Sequence, residues 1–384
     1  MSFLRTNRVY VFIILIAVVG LLAAYYHSTG LTPRLFGFSP NSDIRKFYDA
    51  AVEPSIPYVD KQIEYPVITG LFIQAAGDLG RTYAGYYLFN CFFLIAFAII
   101  ATCFLYKSVD NKDKRALFAY WIFAPSMFFF LIYNWDMLAI VCVAIAFYFM
   151  QKNKFIHASL FLSLGFCAKL YPALYLLPLL LLTRKGQWAK IIGTFCVVAL
   201  AINGPFMFLN FDGWSYFISF NSQRPPNPDS IWAVVNNFVP SISITQINIL
   251  SLILFASLSL VAVWKCRHDS AIKLCFILTL IFLISNKVFS PQYLLWILPF
   301  YVLLGMKRVK LFYALELANL IVFFTIIRHY SIPEDTILLN ISRGFVVIRH
   351  VLLVYMLCYV LRCPSRIISK TDEYIPRGIT QSAD

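Results

Sequence analysis

Apolar residues fill long stretches of this chain almost without interruption, and polar residues gather at the joints between them. A run of about 18 apolar residues crosses a bilayer as a helix. On that pattern spans are predicted near 9–26, 83–106, 116–133, 135–150, 155–169, 170–183, 191–209, 246–264, 272–286, 292–305, 311–328 and 338–361. This is an all-α polytopic membrane protein, a bundle of about twelve transmembrane helices. The stretch 67–79 is too short to cross and is expected to be re-entrant or interfacial. The unbroken run 155–183 has basic residues at both ends and is read as a hairpin of two short helices turning near Lys169-Leu170-Tyr171-Pro172.

Two joints are long, 27–64 and 210–245. Within the first, Ile44, Phe47, Tyr48, Ala51 and Val52 repeat at helical spacing and define an amphipathic helix. Ser42 is its expected N-cap and Pro54 its stop. The helix is expected to lie on the membrane with its apolar face down and Asp43 in its first turn.

Charge orients this pattern. Of 384 residues 60% are hydrophobic and 13% charged, and the net charge is +14. The basic residues are not gathered into a nucleic-acid patch. Most of the 32 Lys and Arg fall in short connectors and in the tail 362–384, whereas most Asp and Glu fall in the alternate joints. That asymmetry places the connectors and both termini in the cytoplasm and the two long loops outside. The first apolar run is expected to be a retained anchor rather than a cleaved signal. None of the nine cysteines lies in an outer loop, so no disulfide framework is expected. The chain reads as one domain.

Five joints hold polar residues beside the apolar spans. They are Ser42-Asp43, Glu64-Tyr65-Pro66, Asn134-Trp135-Asp136, Lys169-Leu170-Tyr171-Pro172, and Asn286-Lys287 with Ser290-Pro291-Gln292-Tyr293. Arg343, Arg349 and His350 in the last span belong with the fifth, and Glu316 is the expected counter-ion of Arg349. Each has an ordinary reading: a helix-end charge for Asp43 and Asp136, an interface anchor for Tyr65 and Trp135, a snorkelling cation for Lys169 and Arg343. Taken together they place a carboxylate, amides, tyrosines and cations on one side of one bundle. Transfer of a sugar from a lipid phosphate needs that mixture: a base for the acceptor hydroxyl, cations for the departing phosphate, and polar groups for the sugar. A twelve-span transporter or lipid flippase also carries intramembrane charges. Against it stand the absence of an internal repeat and a long polar loop with no transport rationale.

Ser42-Asp43-Ile44 with Phe47-Tyr48, followed by Glu64-Tyr65-Pro66, resembles the first luminal loop of GT-C polyprenyl-phosphate-sugar glycosyltransferases. Gly165-Phe166-Cys167-Ala168-Lys169-Leu170-Tyr171-Pro172 and the stretch from Asn286-Lys287 to Trp296 are similar to segments of the GPI mannosyltransferase catalytic subunit and of the bacterial glycosyltransferase family 87 α-mannosyltransferases. The resemblance implies an inverting transfer of a mannose-like sugar from a polyprenyl phosphate to a glycolipid or glycan acceptor, with Asp43 as general base. Arg45 stands where the GPI enzyme's Asp-x-Asp pattern has its second Asp, so neither metal nor cofactor is expected. Lys287, Arg343, Arg349 and Lys169 are then assigned to the donor phosphate. Glu64, Tyr65, Asp136, Tyr171, Asn286, Gln292 and Tyr293 are assigned to the sugar and acceptor, with Arg224 and Asp229 gating the acceptor. The expected location is a bacterial plasma membrane with the site on its outer face, an endoplasmic reticulum membrane with a luminal site being the alternative.

Overall fold

The computed structural model describes residues 3–28, 42–110, 114–334 and 336–363; the tail expected beyond 362 and part of the first loop, 29–41, lie largely or wholly outside them. Among the described residues every regular element is helical, and one isolated bridge joins Pro57 to Lys61. After α1 (Phe3–His27), the first loop holds two short helices, α2 (Asp43–Lys46) and α3 (Tyr48–Val52). Then come α4 (Val67–Gly80), α5 (Tyr83–Ser108), α6 (Arg115–Leu117), a π-helical turn at Phe118–Ile122, α7 (Pro125–Phe130), α8 (Asp136–Gln151) and α9 (Phe155–Ala168). A 3-10 turn at Tyr171–Tyr175 leads into α10 (Leu176–Leu182), which is followed by α11 (Lys185–Leu209), α12 (Phe211–Gln223), α13 (Ile231–Phe238), α14 (Ile244–Cys266) and α15 (Ala271–Ser285). A second 3-10 turn, Pro291–Ile297, leads into α16 (Leu298–Leu303), and α17 (Val309–Ser331) and α18 (Thr336–Arg362) complete the bundle.

Length sorts these helices into two layers. Six are long and apolar enough to cross a membrane: α1, α5, α11, α14, α17 and α18. Only 17% of the apolar window of α11, and the same share of α14, is buried, so both turn most of their surface outward. The shorter α8 and α15 are buried on nearly every side, as expected of helices apolar all round. The short α8 and α15 thus lie inside a polytopic membrane bundle, with the long α11 and α14 on its outside.

The hairpin reading of 155–183 is borne out in outline: α9 ends at Ala168, Lys169 is extended, and the chain returns through the 3-10 turn into α10. Tyr171-Pro172 starts that turn with the fixed φ of proline. Helix α4 packs against α5 and against the first loop. Tyr65, just ahead of it, meets Asp43, and near its far end Gly77 packs against the Ala51 carbonyl. Both ends therefore touch the stretch 43–52.

Two expectations are corrected. The stretch 116–133 is not one straight helix: the Phe123 N–H closes a wide turn on the Phe118 carbonyl, and Ala124 is extended ahead of Pro125. A residue before proline is pushed out of helical geometry. The first-loop helix is also not one element lying on lipid. It breaks at Phe47, and its apolar face packs onto protein: Ile44 and Ala51 are buried, Phe47 lies 5.5 Å from Trp135, and Tyr48 lies 5.5 Å from Tyr86. Gly77 permits this approach, because a Cβ there would collide with the Ala51 carbonyl. The Ser42 cap is present, its hydroxyl accepting from the Arg45 N–H at 3.3 Å.

Candidate active site

The polar joints converge on one cavity of about 1020 Å³. Its walls are the ends of the interior helices. Tyr65 and Pro66 precede α4, Lys169 follows α9, Tyr171 opens the 3-10 turn, Asn286 and Lys287 follow α15, and Pro291, Gln292 and Tyr293 open the second 3-10 turn. Asp43 closes the cavity from the first loop, and the segment from Gln223 to Asp229 closes it from the second.

Asp43 is held in place by backbone and side chain together. Its N–H donates to the Tyr133 carbonyl at 3.1 Å, and the Tyr65 hydroxyl donates to its Oδ2 at 3.1 Å. Lys46, one turn on, stands 4.0 Å from Oδ1, and about a fifth of the Asp43 side chain remains exposed. Burial raises the Asp43 carboxyl above the usual range, while Lys46, Lys169 and Tyr65 oppose that rise. Glu64, on the same rim, is also raised, by burial and by the negative charge of Asp43. Tyr65 is itself anchored: the Tyr58 hydroxyl donates to its carbonyl at 2.8 Å, and its ring packs edge-on to Phe47 and Trp135. Tyr58 occupies positive φ, and its hydroxyl fills the space that a Cβ on Gly70 would take.

Opposite this carboxylate group lies an aromatic stack. Trp296 is sandwiched between Tyr171 and Tyr293, at centroid distances of 4.1 and 4.0 Å. The Lys169 ammonium sits 5.2 to 5.8 Å from the rings of Tyr293, Tyr65 and Trp296 and is ion-paired with Asp136. Asp136 is fully buried; its N–H donates to the Asn134 side chain at 3.0 Å, which fixes the start of α8.

Eleven of the residues singled out in the sequence line this cavity: Asp43, Glu64, Tyr65, Lys169, Tyr171, Arg224, Asp229, Asn286, Lys287, Gln292 and Tyr293. Three are not among its lining residues. Asp136 lies beneath the cavity as the partner of Lys169 rather than in its wall. Arg343 stays on its own helix and donates to the Asn340 side chain at 3.2 Å. Arg349 is buried, donating to Asn319 Oδ1 at 2.7 Å and to the Asp229 carbonyl. Nor is Glu316 the counter-ion of Arg349: it accepts from the Ser126 N–H and hydroxyl, both at 2.7 Å. Trp135 is no interface anchor either, since it is buried and donates to Asn90 at 2.7 Å. The second loop is fastened to the residues after α15. Lys287 donates to the Ser222 and Arg224 carbonyls at 2.9 and 2.8 Å, and Asn227 donates to Ser290 at 3.0 Å. Burial and neighbouring Arg224 lower the Lys287 ammonium, and burial pushes Asp229 up to about 6 despite the opposing pull of Arg349.

Three contributors went unassigned in the sequence: Lys46, Tyr58 and Trp296. Lys46 was legible as the i+3 neighbour of Asp43 and Trp296 as the end of the Gln292 motif; nothing in the sequence marks Tyr58.

A second cavity of about 440 Å³ adjoins the first and shares Pro66, Leu170 and Phe217 with it. Phe166, Leu200, Met207 and Ile218 make it almost wholly apolar. A cavity lined by charged, polar and aromatic side chains, with an almost wholly apolar one beside it, thus lies among the helix ends of a polytopic bundle. The sequence model of Glycosyltransferase family 87 matches residues 65–291, more than half of the chain, and the protein belongs to that family. It is a glycosyltransferase. No curated protein matches the chain. Asp43 lies ahead of the matched stretch and is brought to it by folding.

Proposed function

We propose that this glycosyltransferase moves a mannose-like sugar from a polyprenyl phosphate to a glycolipid or glycan acceptor on the outer face of a plasma membrane. The observation that carries this reading is Asp43, a carboxylate oriented by Tyr65 at the rim of a cavity that holds charged and polar groups and has an apolar cavity beside it. In the reaction Asp43 takes the proton of an acceptor hydroxyl, whose oxygen attacks the anomeric carbon from the side opposite the phosphate. The bond between that carbon and the phosphate oxygen breaks, its electron pair leaves with the carrier phosphate, and the sugar configuration inverts. Positive charge in the cavity wall stabilises the phosphate as it departs. Tyr65, Tyr171, Tyr293, Asn286, Gln292 and Glu64 hold the sugar and acceptor, and the apolar annex takes the first isoprene units. The scheme assigns no metal and no other cofactor.

The test is transfer from radiolabelled polyprenyl-phosphate-mannose in membranes carrying wild type or Asp43→Asn at equal abundance. Removal of a general base is expected to slow transfer by about 100-fold or more. Equal product from both would remove Asp43 from the chemistry. Product from another carrier-linked sugar alone would change the donor.

A further inference from the structure

Four cations line the main cavity: Lys46, Lys169, Arg224 and Lys287. Three of them already have work. Lys169 neutralises buried Asp136, Lys46 stands beside Asp43, and Lys287 points its ammonium at two backbone carbonyls of the second loop. Arg224 donates to the neutral Asn227 side chain at 2.7 Å, and its guanidinium lies 5.4 Å from the centre of the Phe220 ring. A guanidinium retains donors after one such bond and matches a phosphate with two parallel ones.

The backbone around Arg224 is built to hold still. The sequence Arg224-Pro225-Pro226-Asn227-Pro228 carries three prolines, and Arg224 is extended (φ −64°, ψ 144°), the geometry favoured ahead of proline. Buried side chains fasten the loop on both sides. Lys287 takes the carbonyls of residues 222 and 224, Asn227 bridges to Ser290 while its N–H donates to the Lys287 carbonyl at 3.2 Å, and Arg349 takes the carbonyl of Asp229. Arg349 is in turn held by Asn319. These bonds use the cations of Lys287 and Arg349 as fasteners.

Resting on the donor class proposed above, we infer that Arg224 is the residue that binds the carrier phosphate, and that Lys287 and Arg349 are positioning residues that hold the Arg224 loop in place. The base and the phosphate-binding cation then come from different loops, Asp43 from the first and Arg224 from the second. A ligand with phosphate at one end and isoprene behind it has the cavity for the first and the annex for the second.

The test is binding of farnesyl monophosphate, with farnesol as its phosphate-free control, to the purified full chain in detergent. Arg224→Gln is expected to weaken farnesyl monophosphate about tenfold or more and to leave farnesol unchanged, with Arg224→Lys between the two. Lys287→Met is expected to weaken the phosphate ligand too, but to add nothing when combined with Arg224→Gln, because both changes remove one contact. If wild type binds and Arg224→Gln binds equally well, Arg224 is not the phosphate residue and the donor class stands. Equal loss of farnesol gives Arg224 a structural role and also overturns the inference. Additive losses in the double variant put Lys287 on the phosphate itself. Failure of wild type to bind farnesyl monophosphate overturns the inference together with the donor class.

Discussion

Removing the Tyr65 hydroxyl isolates a side-chain hydrogen bond that orients Asp43. In Tyr65→Phe the ring keeps its edge-on contacts with Phe47 and Trp135, at 5.5 and 5.3 Å, so the loss is confined to the O–H donated to Oδ2 at 3.1 Å. A hydrogen bond to a charged acceptor contributes about 1.5–3 kcal/mol. The low end applies, because the bond is long and 19% of the Asp43 side chain is exposed. About 1.5 kcal/mol is about a factor of ten in the protonation equilibrium. The sign follows from the donor: Tyr65 favours the ionised carboxylate, so its loss adds to the upward shift that burial imposes on Asp43. A base must be ionised to work. On the acid limb of the kcat/KM profile, Tyr65→Phe should therefore run about tenfold below wild type, and the profiles should approach one another as pH rises and Asp43 ionises in both. The assay is transfer from radiolabelled donor across pH at equal abundance. Superimposable acid limbs, or a variant limb displaced to lower pH, would refute the role of Tyr65 in setting the base.

Lys169→Met leaves Asp136 buried and unpaired, a loss of about 3–5 kcal/mol that a thermal unfolding scan in detergent should register, and Lys169→Met with Asp136→Leu should recover much of it. Gly70→Ala drives a methyl into the Tyr58 hydroxyl and should lower stability by about 1–3 kcal/mol; an unchanged unfolding midpoint would show that Tyr58 moves aside freely. Arg343→Ala should keep the donor KM within about twofold of wild type, since it donates to Asn340 on the same helix and is not among the residues lining the cavity. A large rise in donor KM would return Arg343 to the phosphate site.

Local pattern carried much of this architecture. The long spans, the Ser42 cap, the short helix at 67–79 and the break at Lys169-Pro172 are decided by residues within a turn or two of each other, and those features were legible. What failed was partnership at a distance. Glu316 and Arg349 look like natural counter-ions on neighbouring spans, yet the first turn of α7 brings the Ser126 N–H and hydroxyl to Glu316, and the second loop brings a carbonyl to Arg349. An apolar helix face likewise does not reveal whether lipid or protein covers it. Gly77 settles that for 43–52 by letting the loop backbone sit directly on α4. The break at 123–124 was hidden because its composition is as apolar as its surroundings, with Pro125 the one mark.

The two layers of helix length have a consequence for how substrates arrive. At 1.5 Å per residue, the 25 residues of α11 reach about 37 Å, whereas the 14 residues of α9 reach about 21 Å. A hydrocarbon slab is about 30 Å thick. Short columns inside a tall palisade make a bowl, and the reacting groups sit on its floor, at the tips of the short columns. For the lipid-linked donor proposed above, such a bowl favours entry from the side, between staves, over entry from water. Entry would then be a two-dimensional diffusion problem, governed by the number of carriers per area of leaflet rather than by their concentration in solution.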